Sequence, residues 1–201
     1  MQNETLSQST NPGARFIIKR ALGDALKALF ILSLSGGVFL FIHVQARSIG
    51  AGSIGFAIFV NFLLMTLFAV FVGVLKPDLS ISYFEAKRFE KGGRVYRRFG
   101  LRYFLLLLRL VGSERMRRTS APLTKRGESL ARFEHQTRVS EASHALAAVV
   151  VAAITVYVAS AYGIGSVIWL VVFNIVLNVY PVMMQRYNRP RVQNVLRQAG
   201  R

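Results

Sequence analysis

Cysteine is absent from the 201 residues. That excludes disulfides, thiol nucleophiles and cysteine metal sites, and leaves any catalysis to oxygen and nitrogen groups. Acidic residues are scarce, 9 against 26 basic ones, for a formal net charge of +17. Such a balance suits either a nucleic-acid binder or a protein lying against anionic lipid. Charge of either sign is sparse overall, at 17% beside 53% hydrophobic residues, and the apolar residues come in blocks, so lipid is the expected partner and a multi-span membrane protein the expected class. Met1 to Ala14 lacks an apolar core followed by a small-residue cleavage site; no removable signal peptide is expected, and the first spanning helix should act as the insertion signal.

The apolar blocks predict an all-α integral membrane protein with four transmembrane helices. Arg15 to Lys27 mixes Phe16, Ile17, Ile18, Leu22 and Leu26 with four cations, a pattern for a short interfacial helix. Ala28 to Val44 carries no formal charge and, with Leu26 and the stem of Lys27, reaches roughly the twenty residues a crossing requires. His43 at its far end reads as an interfacial side chain. The second run, Ile49 to Leu75, starts with Gly50, Gly52, Ser53, Gly55 and Ala57, small residues that admit a close neighbour. Lys76-Pro77-Asp78 ends it. Span three is Ala142 to Ala161, the turn is Tyr162 to Ser166, and span four runs from Val167 to Met184. No fixed-period repeat is present.

Between the hairpins, 76–141 holds 16 of the 26 basic residues. At 100° per residue, Lys91, Arg94, Arg98, Arg102 and Arg109 fall within about 80° of one another, with Phe99, Tyr103, Leu106, Leu107 and Leu110 opposite. This predicts an amphipathic in-plane cytoplasmic helix, Gly92-Gly93 being its weak point. Ser113 to Thr137 should contain a loop, followed by a helix from Glu128 into span three. The interleaved aromatics and cations lack a nucleic-acid module, so no nucleic acid is expected. Basic residues cluster in the N-terminal segment, the middle segment and the tail, while the two hairpin loops carry only Arg47. Both termini are therefore expected in the cytoplasm. The chain divides into an interfacial segment (1–27), a first hairpin (28–75), the basic cytoplasmic segment (76–141), a second hairpin (142–185) and a basic tail (186–201).

The polar groups that carry chemistry gather at one end of the second hairpin. With the turn centred near Ile164, His144 falls level with Met184 and Glu141 with Tyr187. Glu141 and His144, three apart, share a helix face. A carboxylate beside an imidazole can fix its tautomer and stabilise its cation, as a general base requires. Arg186 and Asn188 suit an oxyanion or phosphates, with Gln185, Tyr187 and Arg189 beside them. Asn174 and Asn178, four apart at membrane depth, should point into the bundle. His135, with Glu134 and Arg138, would extend the same patch. The same residues would also serve as plain bundle hydrogen bonds and interfacial anchors. A di-iron site needs two Glu-x-x-His pairs and two further glutamates; one pair is present, and no metal is expected.

Asn178-x-x-Pro181 followed by Gln185-Arg186-Tyr187-Asn188-Arg189-Pro190-Arg191 resembles the C-terminal signature of the glycosyl-4,4'-diaponeurosporenoate acyltransferase family, small bacterial membrane proteins of carotenoid glycolipid synthesis. Phe89 to Tyr96 resembles its Glu-Lys-x-Gly-x-x-Tyr/Trp segment, and Thr137-Arg138-x-x-Glu141-x-x-His144 its Thr-Lys/Arg-x-x-Glu-x-x-His segment. The likeness covers roughly Phe84 to Leu196. It departs at Arg102-Tyr103-Phe104, where the family has an Arg-x-Trp-Lys-like stretch. The resemblance implies transfer of a fatty acyl group to a sugar hydroxyl of a lipid-soluble glycosylated acceptor. The donor would be acyl-CoA or another acyl thioester, with no further cofactor. It implies Glu141, His144, Asn178 and Gln185 to Arg189 as site positions, with Glu90 and Tyr96 as weaker ones. From a different class, the competing expectation is a non-catalytic protein organising anionic lipid or a partner through its basic face.

Overall fold

The computed structural model describes residues 12–110 and 126–199, and among them the regular structure is helical, with no strand. The helices are α1 (Pro12–Gln45), α2 (Ile54–Leu75), α3 (Leu101–Leu110), α4 (Arg126–Tyr162), α5 (Ile168–Asn174) and α6 (Tyr180–Ala199). Four stretches are long and apolar enough to cross a membrane: Arg15–Gly50, Ile54–Leu75, Leu130–Tyr162 and Ile164–Gln198.

α1 is one continuous helix of 34 residues, so the expected interfacial helix is its first turns rather than a separate element. A π turn at Ala46–Gly50 extends it, and span two starts at Ile54 instead of Ile49. Ser53 sets that start by accepting from the Phe56 N–H with its hydroxyl, satisfying one of the orphan donors of a helix N-terminus. Lys76 closes α2 in the left-handed region, its N–H donating to the Val72 carbonyl, and Pro77 prevents continuation.

The core is an apolar contact between α2, α4 and α5, built from Phe56, Ala57, Val60 and Leu64 against Ala147, Val151 and Leu170. Gly52 lets the two connections touch at one end of the bundle, since a Cβ there would lie 3.3 Å from the Ser166 backbone. Ser35, Thr66 and Thr155 turn their hydroxyls back onto carbonyls four residues earlier, which satisfies them within their own helices.

α4 and α6 run antiparallel. Hydrogen bonds join Ala148 to Asn174, Glu141 to Arg186, Thr137 to Arg189 and Glu134 to Gln193, one number falling as the other rises. α4 has 37 residues, about 55 Å of helix, where the hydrocarbon layer is about 30 Å thick. Its first half therefore extends beyond the apolar zone. The loop expected from Ser113 lies outside the described residues as far as Lys125; the helix expected near Glu128 begins at Arg126.

The basic segment departs from expectation. No single helix runs from Lys91 to Arg109: 3-10 turns cover Arg88–Glu90 and Arg94–Phe99, and only Leu101–Leu110 is α-helical. Lys91, Gly92, Gly93 and Gly100 all have positive φ, which breaks a helix twice. Close packing is the reason. A Cβ on Gly93 would sit 2.7 Å from Tyr187 Cα, and one on Gly100 would sit 2.9 Å from the Tyr180 hydroxyl. On α3, Leu101 and Phe104 are buried, Phe104 stacking on Tyr180, while Tyr103, Leu106, Leu107 and Leu110 remain exposed.

Candidate functional site

Glu141 is fully buried on α4, and its carboxylate is held by two guanidiniums from α6. Arg186 Nε donates to Oε1 at 2.7 Å, and Arg189 donates to Oε2. Arg186 also donates to Glu90 and to the Tyr83 carbonyl, and Arg189 donates to Thr137 and to the Phe84 carbonyl. The rings of Tyr83 and Phe84 lie under the two guanidiniums. Two carboxylates thus meet two arginines. Buried charges persist where they are paired and hydrogen-bonded, and this group meets both conditions. It ties the 83–96 segment, α4 and α6 together.

Glu90 is 1% exposed. Burial pushes its carboxyl up, but the Tyr96 hydroxyl, Arg186 and the Lys87 N–H together outweigh that and hold it below the ordinary carboxylate range. Burial and the same carboxylate push the Tyr96 hydroxyl up, so it stays a donor.

The Glu141–His144 couple expected from their spacing is not formed. Both Glu141 oxygens are taken by guanidiniums, which are stronger partners for a buried carboxylate than a neutral imidazole. Arg186 is likewise committed within the cluster, each of its three nitrogens holding a protein acceptor. Arg138 pairs with Glu134 and donates to the Leu79 carbonyl, forming an outer strut that leaves His135 exposed. Gln185 donates to Ser140. Tyr187 backs onto Gly93, and Asn188 is half-buried on α6.

One turn further along α4, His144 faces Asn178 and the backbone of Leu177. Asn178 lies in the π turn Ile175–Val179 between α5 and α6, an irregularity that recurs at functional sites. Pro181 has no N–H, so the helix cannot give the Leu177 carbonyl its usual donor four residues on. Asn178 is fully buried and donates to Asn61 of α2 at 2.7 Å and to Asn174 at 3.0 Å. Among the described residues, the buried side-chain polar atoms with no hydrogen-bond partner are His144 Nδ1 and Asn178 Oδ1. Asn61 went unrecognised in the sequence. Its signal was available: a lone amide within the apolar run of α2, where a polar side chain at membrane depth calls for a partner.

Fold and site together define a helical membrane protein whose polar centre is walled by three spanning helices and closed at one end by a four-residue charge cluster. The chain belongs to the glycosyl-4,4'-diaponeurosporenoate acyltransferase family, a family of carotenoid glycolipid synthesis whose sequence model matches residues 80–198. The match takes in the charge cluster, α3, His144 and the Asn178 turn, and it leaves out α1 and α2. No curated protein and no solved structure matches the chain.

Proposed function

We propose that the protein is a membrane O-acyltransferase that moves a fatty acyl group from a thioester to a sugar hydroxyl of a glycosyl carotenoid or similar glycolipid. The observation that carries this reading is the buried polar pair His144 and Asn178, face to face within the family-matched region.

The chemistry needs a base and a hydroxyl held beside it. With one imidazole nitrogen protonated toward Asn178 and the Leu177 backbone, the other is left as the acceptor. That nitrogen takes the proton of the sugar O–H as the sugar oxygen attacks the thioester carbonyl carbon. A C–O bond forms, and the tetrahedral centre collapses with cleavage of the C–S bond. The departing thiolate recovers the proton from the imidazolium. Glu141 acts in this scheme as a positioning residue: through Arg186 and Arg189 it fixes α6, and with it the Asn178 turn, against α4.

The donor has a suitable berth on the basic side. A groove of about 520 Å³ is lined by Arg97, Arg102, Arg109, Tyr103, Leu106 and Tyr187, and guanidiniums in a concave surface attract phosphates. With this end of the bundle in the cytoplasm, as the basic segments favour, a soluble acyl thioester reaches it directly.

The test is transfer of labelled acyl-CoA into lipid by membranes containing the full chain or His144→Ala. Loss of at least a hundredfold is expected, since positioned acid–base groups contribute about 10²–10⁴-fold. Undiminished transfer would end the assignment.

A further inference from the structure

We infer that α3 is immersed beside α6 in the leaflet nearest the charge cluster, with Leu106, Leu107 and Leu110 against acyl chains and Arg102 and Arg109 at the phosphates of anionic phospholipids. Such a seat in lipid is independent of the acyl-transfer reading.

Two contacts with α6 set the depth of the helix. Gly93 lies against the backbone of Tyr187, whereas Gly100 lies against the Tyr180 hydroxyl, which donates to the Phe99 carbonyl, and Phe104 stacks on the Tyr180 ring with centroids 5.1 Å apart. From Tyr187 to Tyr180 is seven residues of helix, about 10 Å along its axis. The direction of that step is toward the hydrocarbon, because no Asp, Glu, Lys or Arg occurs between Glu141 and Arg186, the hairpin to which Tyr180 belongs. The 93–100 segment therefore descends along α6, and α3 begins below the level of the charge cluster.

The faces of α3 fit that depth. At 100° per residue, Leu101, Phe104, Leu105 and Leu108 share the side packed on the protein, where the first two are buried and the others half-buried. Tyr103, Leu106, Leu107 and Leu110 take the opposite side and are exposed, Leu110 at 77%. Arg102 and Arg109 lie on the edge between them, and both line a groove with Tyr187, so the basic edge turns back toward the cluster end. A helix with protein on one flank, oil on the other and cations along its upper edge is built to lie in a leaflet. The oily flank continues the lipid-facing surface of the adjoining spans. Lys91 to Leu110 holds six cations and no carboxylate, which makes anionic headgroups the complementary neighbours of that edge.

The chain has no cysteine, so single-cysteine variants can carry an environment-sensitive fluorophore at a chosen place. Leu107→Cys and Leu110→Cys, both at exposed positions, are labelled in the full-length protein and reconstituted in vesicles of phosphatidylcholine with phosphatidylglycerol. His135→Cys, exposed on α4 beyond the cluster, calibrates water, and Val149→Cys, 68% exposed within the span, calibrates lipid. Both α3 probes should follow Val149, quenched by lipids with nitroxide-bearing acyl chains and shielded from iodide. At equal mole fraction, nitroxide phosphatidylglycerol should quench the Leu110 probe about threefold more than nitroxide phosphatidylcholine, and Arg102→Gln with Arg109→Gln should abolish that preference. Iodide quenching equal to that at His135 would overturn the immersion of α3. Shielding from both quenchers would overturn it too, since a second protein surface would then cover the oily flank. Equal quenching by the two lipids in the unsubstituted arginine background would overturn the phosphate contacts.

Discussion

Glu90 and Glu141, 51 positions apart in the chain, are bound by a single guanidinium, that of Arg186. The arrangement makes Arg186 and its neighbour Arg189 the clasp between a coil segment and two helices. It also changes what Glu141 is for.

Glu141→Gln should therefore damage assembly as well as activity. It leaves two buried guanidiniums facing one remaining carboxylate, and breaking a buried ion pair typically costs about 3–5 kcal/mol. Thermal unfolding in detergent should show a large drop alongside lost transfer. A carboxylate that served only to tune His144 would lose transfer with an unchanged melting profile.

Acid should loosen the clasp. Because Glu90 is held below its unfolded value, its contribution is present above the ordinary carboxylate range and disappears as pH falls through the depressed folded value. Tyr96→Phe removes one of the bonds that depress it, so the acid midpoint should move to higher pH, with about 1 kcal/mol lost at neutral pH. Near-ultraviolet circular dichroism across an acid titration measures both. An unmoved midpoint would deny the Tyr96–Glu90 bond that role.

Gly93 and Gly92 give a matched comparison. Both have positive φ, but a Cβ on Gly93 runs into the Tyr187 backbone while one on Gly92 meets nothing within 4 Å. Gly92→Ala should cost about 1–2 kcal/mol from backbone conformation alone. Gly93→Ala should cost several kcal/mol more, because backbone on α6 must move. Denaturant or thermal unfolding of the two variants side by side checks the difference.

The proposed donor berth in the basic groove predicts a split between binding and chemistry. Replacing Arg97, Arg102 and Arg109 together with glutamine should raise the KM for acyl-CoA about tenfold or more while kcat changes little, and the gap should shrink at high salt. A protein that only organises anionic lipid would instead tolerate His144→Gln and fail with the arginines neutralised. Acyl transfer and liposome binding, measured on both variants, tell these apart.

Much of this was legible in the residues. Uncharged runs located four spans, and the turn at Tyr162 to Ser166 put Glu141 opposite the Gln185 to Arg189 stretch, where Arg186 and Arg189 in fact bind it. Helical spacing correctly placed Glu141 and His144 on one face, yet it could not rank partners arriving from another segment. A guanidinium on α6 outcompetes an imidazole one turn away, and no periodicity reveals that. The basic stripe from Lys91 to Arg109 failed as one helix for a similar reason: the angular pattern counts side chains, whereas Gly93 and Gly100 answer to the approach of α6. Asn61, alone in its apolar run, calls for a buried partner, but no spacing reveals which one, 117 positions away.

The unbroken length of α4 has a consequence for where the protein can work. His144 stands on the same rigid rod as Tyr162, about 27 Å along its axis, so the imidazole keeps a fixed distance from the opposite rim. A thicker or thinner bilayer slides the imidazole relative to the phosphate plane, which would tie the proposed acyl transfer to the acyl composition of the surrounding leaflets. An enzyme that consumes fatty acyl chains would thus sense, through its own span, the material those chains build.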